Sequence, residues 1–205
     1  MDAFLAALIH LDPIALVKAG GYVGIALIVF AESGVLLGIF FPGDSLLFTA
    51  GLLSAGGFLS VIPLMILVSA AAILGDSVGY WFGTKVGNAL FTRPDSRFFK
   101  QAYVTRTQAF YAKYGGRAII LARFVPIVRT IAPILAGVGS MTYSRFLSYN
   151  ILGGCLWGAG MILLGYSLGS IIPNSEKYVF PLALVIIVLS FIPILIEYAR
   201  NRGKN

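Results

Sequence analysis

Charged side chains are scarce in this chain. Only 11% of its 205 residues are Asp, Glu, Lys or Arg, whereas 59% are hydrophobic. A soluble domain carries about 25% charged residues, so the composition excludes an ordinary soluble domain and predicts one membrane domain over residues 1–205. The first residues lack the basic region with which a signal peptide begins. Because Asp12-Pro13 interrupts the first apolar stretch, we expect residues 1–19 to form a retained interfacial helix.

Nucleophiles and metal ligands are equally scarce. The chain has one cysteine, Cys155, and one histidine, His10, which excludes an internal disulfide and a cysteine metal cluster. The sequence contains no H-E-x-x-H and no G-x-S-x-G motif. We therefore expect a protein without metal, cofactor or enzymatic activity, and we keep an intramembrane enzyme only as an alternative.

What the chain does have is four charges inside apolar stretches. Glu32 and Asp44 lie in its first half, and Arg123 and Arg129 lie in its second half. A charge at the centre of a membrane costs at least about 2.5–3.5 kcal/mol on insertion scales. Each of the four also lies beside helix-breaking residues, so we predict a polar functional site at the membrane midplane where the two halves meet. The alternative is a scaffold whose buried ion pairs only hold helices together.

The net charge of +7 is concentrated in two regions. Residues 85–117 contain seven basic side chains and one acid, and the tail at 199–205 adds three more basic residues. By the positive-inside rule both regions face the cytoplasm. The segment 88–117 also carries an aromatic stripe, formed by Phe99, Tyr103, Phe110 and Tyr114. This pattern predicts an amphipathic segment on the anionic lipids of the inner leaflet, with a solvated connector as the alternative. Nucleic acid is not an expected partner, because the basic residues flank lipid-buried segments.

Counting the crossings predicts one segment that does not span the membrane. Three apolar segments, 118–141, 143–172 and 177–198, lie between the two basic cytoplasmic regions, so an even number of them crosses. The segment 118–141 contains Pro126 and Pro133. We expect it to enter, break and return as a re-entrant hairpin, covered by protein or lining a water-filled cavity. The other two segments are predicted transmembrane helices.

The first half repeats this plan. A glycine pair opens each half, an Ala-Gly pair follows each broken apolar stretch, and a glycine-rich span ends each half: Gly20-Gly21 and Gly115-Gly116, Ala50-Gly51 and Ala136-Gly137, residues 79–83 and 165–169. By this correspondence, residues 20–60 form a first re-entrant hairpin and residues 61–87 a transmembrane helix. The predicted fold is an all-α membrane protein with an inverted repeat. It has two opposed re-entrant helical hairpins plus transmembrane and interfacial helices, as transporters do.

Of the two acids in the first half, Asp44 lies at the predicted turn of the first hairpin and Glu32 lies in the middle of the apolar run before it. Pro42 and Gly43 break the helix and supply that turn. Asp44 can cap the helix that follows, which is a structural alternative to a role in function. Glu32 has no such explanation. Without a partner it could exchange protons, and beside an arginine it would stay ionised.

The first glycine-rich span combines small residues with one acid. Gly79 and Gly83 lie four residues apart, a spacing that favours close packing of helices. Asp76 lies near them and could pair with Lys85 or an arginine. Its role stays open.

The two arginines of the second half flank a proline. On a regular helix, Arg123 and Arg129 would point about 120° apart, but a break at Pro126 can bring both to one cavity. The planar fork of an arginine matches phosphate or carboxylate and stays charged when buried. Thr130 could add a hydroxyl donor. The pattern predicts an anionic headgroup as the ligand.

Three blocks of residues resemble one family signature: Phe40–Leu47 with Glu32 upstream, Gly75–Gly83, and Arg123–Thr130. In this order, over about residues 20–170, they are similar to the DedA family, also called the SNARE-associated Golgi protein or VTT-domain family. The resemblance implies a multi-pass protein of the bacterial inner membrane with two opposed re-entrant hairpins. Together with the basic tail, it places the C-terminus in the cytoplasm.

The resemblance also implies a function. It implies transport of a phosphorylated polyprenyl carrier lipid, with undecaprenyl phosphate as the expected substrate, in support of envelope synthesis and linked to proton-motive force. By position, Glu32 and Asp44 are implied to be the proton-linked acids, and Arg123 and Arg129 the phosphate-facing pair. The alternatives are a proton-coupled antiporter of small solutes or ions and a general phospholipid scramblase. A homo-oligomer is left open.

Overall fold

A computed structural model describes residues 12–34, 43–91 and 101–171. These residues form seven helices and no strand: α1 Pro13–Gly34, α2 Gly43–Ala55, α3 Val61–Phe91, α4 Gln101–Tyr114, α5 Arg117–Ala122, α6 Pro126–Val138 and α7 Tyr143–Ile171. The predicted turn residue Pro42, the predicted helix at 177–198 and the predicted tail at 199–205 lie outside the described residues, as do residues 1–11 and 92–100.

Three helices are long and apolar enough to cross a membrane: Pro13–Gly34, Val61–Val86 and Tyr143–Ile171. Their outward surfaces carry large exposed apolar side chains such as Leu27, Ile66 and Leu156. In water such surfaces would be unfavourable, whereas acyl chains solvate them. The predicted all-α membrane protein is therefore confirmed.

The first of these helices is interrupted near its start. Asp12 caps it by accepting hydrogen bonds from the backbone N–H groups of Ile14 and Ala15, at 3.0 and 3.3 Å. Gly21 then adopts φ 51° and ψ −148°, a conformation that only glycine reaches easily. The hydroxyl of Tyr22 accepts a hydrogen bond of 2.7 Å from the backbone N–H of Ser60, which joins the following turn of α1 to the residue before α3. Gly21 therefore marks a kink between two helical stretches within α1.

The short helix α2 packs tightly along α7. Gly51 of α2 lies against the backbone of Ile162, and Gly165 of α7 lies against the carbonyl of Phe48. A Cβ atom at either glycine would overlap the facing backbone. Small residues at such positions let helices approach closely in a membrane.

The short helix α6 makes an equivalent contact with α3. Gly83 of α3 lies against the carbonyl of Ile134, and Gly137 of α6 lies against the carbonyl of Tyr80. Each short helix thus packs on a long helix from the other half of the chain. This crossed arrangement brings the beginnings of α2 and α6 to one region.

The helical structure is interrupted between α5 and α6 at residues 123–125. Val125 is extended, with φ −119° and ψ 108°, and Pro126 begins α6 at a position where its missing N–H costs nothing. Pro133 lies inside α6 and removes the N–H that would bond the carbonyl of Arg129. The break places Arg123 at the end of α5 and Arg129 in the first turns of α6.

The helix α4 is joined to α6 by a buried hydrogen bond. The hydroxyl of Tyr111 donates to the carbonyl of Ala132 at 2.8 Å. Burial raises the pKa of Tyr111, which keeps this hydroxyl protonated as a donor. Phe110 and Tyr114 on the same helix are about half exposed.

Candidate functional site

Arg129 of α6 forms ion pairs with two acids from the first half of the chain. One guanidinium nitrogen donates to Glu32 Oε1, and the other donates to Asp44 Oδ1 at 2.6 Å. The three side chains are largely buried, and that of Arg129 is 12% exposed. The structure therefore brings together three of the four charges that lie in apolar stretches.

The start of α2 positions both carboxylates. Asp44 lies in the first turn of α2, where the helix dipole favours negative charge. Gly43, the first residue of α2, lies directly against the carboxylate of Glu32, and a Cβ atom there would overlap it. Glycine at this position therefore allows the helix terminus to approach the buried acid.

The second carboxylate oxygen of Glu32 has unused bonding capacity. Glu32 is 3% exposed, and in the described part of the chain its Oε2 has no hydrogen-bond partner. A buried acceptor without a partner costs about 1–3 kcal/mol. A proton or a donor group of a ligand would remove this cost.

Trp157 of α7 completes the site and was not predicted. Its indole N–H donates to Asp44 Oδ1 at 2.8 Å, and its ring centroid lies 4.8 Å from the guanidinium carbon of Arg129. This second contact is a cation–π interaction. A tryptophan in an apolar, glycine-rich helix gives no sequence signal that separates it from a lipid-facing aromatic residue.

Arg123 lies in a second buried cluster. It donates to the carboxylate of Asp76 on α3 and to the side-chain oxygen of Asn150 on α7. The amide of Asn150 donates in turn to the carbonyl of Ile73 at 3.0 Å. Gly153 leaves room for the arginine, since a Cβ atom there would lie 2.9 Å from its Cδ. The two arginines are thus paired with different acids. Asn150, like Trp157, was not among the predicted site residues.

The remaining predicted residues frame the two clusters. Thr130 follows Arg129 and is buried, and Pro126 begins the helix that carries both. Gly79 and Gly83 lie on the face of α3 that contacts α6. Within residues 12–34, 43–91 and 101–171, no three His, Cys, Asp or Glu side chains are grouped to hold a metal ion.

Comparison with known families identifies the family of this chain. The model of the VTT domain matches residues 41–167, which include Asp44, Asp76, both arginines and Trp157. This chain belongs to the VTT-domain (DedA) family. The family match begins after Glu32, but similarity to individual VTT-domain relatives extends further.

Three relatives illustrate this. The chain is 46% identical to an uncharacterized membrane protein of Mycobacterium tuberculosis, over 93% of this chain and 86% of that protein. It is 44% identical to protein DedA of Escherichia coli, over 88% and 83% of the two chains. It is 34% identical to the Escherichia coli inner membrane protein YqjA, over 72% and 67%. No solved structure matches this VTT-domain protein.

Proposed function

We propose that this VTT-domain protein is a lipid transporter that moves a polyprenyl phosphate, undecaprenyl phosphate in particular, across the inner membrane in exchange with protons. The observation that carries the proposal is the buried pairing of one guanidinium with two carboxylates, Arg129 with Glu32 and Asp44. When all three are ionised, this group has a net charge of about −1 by formal count. Such a group can accept a proton or exchange one acid for another anion.

The geometry of Arg129 favours a phosphate as that anion. Each of its two terminal nitrogens donates to a different carboxylate. Two oxygens of one phosphate group can take both donors at once, because the guanidinium fork matches phosphate bidentately. Both acids would then lose Arg129 while a second anion lies beside them, so one of the two would take up a proton. This exchange links the phosphate to a proton, with Glu32 and Asp44 as the acids of the coupled site.

In this proposal the two arginines have different roles. Arg129 is the residue that the phosphate meets first, because its side chain is 12% exposed whereas that of Arg123 is 4% exposed. Arg123 contributes positive potential from the neighbouring cluster, where Asp76 and Asn150 hold it. Thr130 adds a hydroxyl next to Arg129.

The proposal includes two opposed re-entrant hairpins, at residues 20–60 and 118–141. Two features support them. The short helices α2 and α6 are each 13 residues long, which is less than the about 20 residues that a membrane span requires. Their crossed packing on α7 and α3 uses the glycines of the two corresponding Ala-Gly pairs, Gly51 and Gly137. Both short helices begin at the charged site, as the half-helices of transporters begin at theirs.

The membrane setting of the proposal follows from the charge pattern. The basic segment at 88–117 and the tail face the cytoplasm, and α4 rests on anionic lipids of the inner leaflet. Lys113 is exposed beside the half-exposed ring of Tyr114 on α4, a pairing suited to headgroup depth. The polyprenyl tail stays among the acyl chains while only the phosphate passes the site. No covalent bond changes, so the protein acts as a transporter and not as an enzyme.

The test is transbilayer exchange of labelled undecaprenyl phosphate in sealed proteoliposomes, with and without a pH gradient. We expect exchange by the wild type, loss of exchange in Arg129→Ala, and loss of the gradient effect in Glu32→Gln. Arg117→Ala is the matched control, because this arginine is exposed at the start of α5.

Other outcomes would redirect the assignment. No exchange by folded wild type would contradict the proposal. Ion flux that depends on Glu32 but on no lipid would favour the small-solute antiporter. Equal exchange of undecaprenyl phosphate and phosphatidylcholine would favour a general scramblase.

A further inference from the structure

Trp157 touches both members of one ion pair in the site. Its indole N–H and Arg129 donate to the same oxygen of Asp44, at 2.8 and 2.6 Å. The face of its ring also lies 4.8 Å from the guanidinium carbon of Arg129. With only 4% of its surface exposed, the ring makes these contacts in a desolvated setting, where cation–π attraction is strongest.

The two acids are therefore not equivalent when Arg129 leaves them. Asp44 would keep a hydrogen bond from Trp157, because the indole N–H donates to its carboxylate oxygen and does not depend on Arg129. Glu32 contacts Arg129 through Oε1, while its Oε2 has no hydrogen-bond partner among the residues that the structure describes. The indole thus stabilises one acid of the pair and not the other.

The position of the indole is set by the helix that carries it. Trp157 lies 113 residues after Asp44, on α7, which packs along α2 through Gly165. The adjacent Gly158 lies close to Val68 of α3. The part of α7 that carries the ring is therefore packed against both α2 and α3, while the ion pairs in front of the ring can change.

We propose that Trp157 is a positioning residue of the transport site, which holds the carboxylate of Asp44 in place while Arg129 exchanges its carboxylate partners for a phosphate monoester. The ring keeps the guanidinium over its face during that exchange. Glu32, which lacks this support, is then the acid that takes up the proton. This inference rests on the proposed function, because the exchange at Arg129 is the central step of that function.

Transport kinetics test the inference with three variants. Trp157→Phe keeps an aromatic face and removes the N–H, Trp157→Leu removes both, and Trp81→Phe is the matched control because Trp81 is 60% exposed on α3. We expect Trp157→Phe to lower the maximal exchange rate about tenfold, the effect of one hydrogen bond to a charged group. Its half-saturating density of undecaprenyl phosphate should change by less than about twofold, since binding to Arg129 is kept. Trp157→Leu should raise that density as well.

Fluorescence provides a second test that needs no transport. The chain has two tryptophans, so in Trp81→Phe the emission comes from Trp157 alone. Phosphatidylcholine vesicles that contain this variant are supplied with geranylgeranyl phosphate or with geranylgeraniol. We expect the phosphate to change the emission and the alcohol to leave it unchanged, because only an anion moves the guanidinium on the ring. Arg129→Gln should abolish the change.

The outcomes separate this inference from the proposed function. Equal maximal rates for Trp157→Phe and Trp81→Phe would overturn the inference while the transporter stands. If the wild type moves no lipid, the proposed function fails and the emission decides. A phosphate-specific change then supports Trp157 as the residue that positions the anion site, and an unchanged emission overturns it. The emission also decides if Trp157→Phe does not fold.

Discussion

Glu32 and Arg129 form a buried ion pair although 97 positions separate them in the chain. The acid lies near the end of α1 and the arginine lies in the first turns of α6, so the pair joins the two halves. Asp44 extends this pair to a group of three charges. A buried charge that loses its partner destabilises the fold, and the first prediction follows from this property.

Removing Arg129 should strand two buried carboxylates. We expect Arg129→Ala to lower the free energy of unfolding by about 3–5 kcal/mol, the usual result of breaking a buried ion pair from one side. Adding Glu32→Gln and Asp44→Asn to this variant should restore part of the loss, because no charge is then left unpaired. Denaturant titration of the detergent-solubilised protein measures both differences. An equal loss in the single and the triple variant would show that the charges are not coupled.

A Cβ atom at Gly43 should disturb the site through Glu32. The glycine lies against the carboxylate, so Gly43→Ala forces the acid or the start of α2 to move, at a cost of about 1–3 kcal/mol. Gly160→Ala on α7 is the matched control, because nothing lies within 4 Å of a Cβ atom there. That control should be neutral or stabilising, as alanine is preferred to glycine within a helix. The same loss in both variants, read from thermal unfolding, would contradict the contact.

The second cluster should behave as a structural ion pair. Asp76→Ala leaves Arg123 charged and buried, and we expect a loss of about 3–5 kcal/mol. Combining it with Arg123→Met should recover most of that stability, because both charges are then gone. The comparison uses the unfolding free energies of the single and double variants. No recovery in the double variant would mean that Arg123 stabilises the fold through Asn150 and not through the acid.

Tyr111→Phe should weaken the attachment of α4 to α6. The variant loses the bond to the carbonyl of Ala132, which contributes about 0.5–1.5 kcal/mol. Tyr114→Phe is the control, since Tyr114 is about half exposed.

The same bond predicts a pH dependence. The pKa of Tyr111 is raised from its ordinary value of 10.0 by burial, so the folded state keeps the proton that the unfolded state releases. The stability difference between the wild type and Tyr111→Phe should therefore shrink as the pH rises above 10.0. A constant difference across that range would contradict the burial of this hydroxyl.

The sequence identified the charged members of the site because a charge in an apolar stretch is expensive and therefore conspicuous. Glu32, Asp44 and Arg129 were singled out on this ground alone. Trp157 and Asn150 were not, because neither side chain carries a charge. Their importance depends on which face of α7 meets the other helices, and that is a property of the packing.

The acid with which each arginine pairs could not be predicted from the sequence either. The proline break suggested that Arg123 and Arg129 could share one cavity, yet they bond to different acids. The three residues at 123–125 turn the chain between α5 and α6, and their conformation decides the direction of each guanidinium. Spacing and hydropathy carry no information about that turn.

The crossed packing of the short helices also bears on the order of biosynthesis. Gly51 of α2 finds the backbone of its partner Ile162 only after about 110 further residues have left the ribosome. Until then Glu32 and Asp44 lack the ion pairs that they form with Arg129. The contacts of each short helix with a long helix of the other half can therefore form only after both halves have been synthesised.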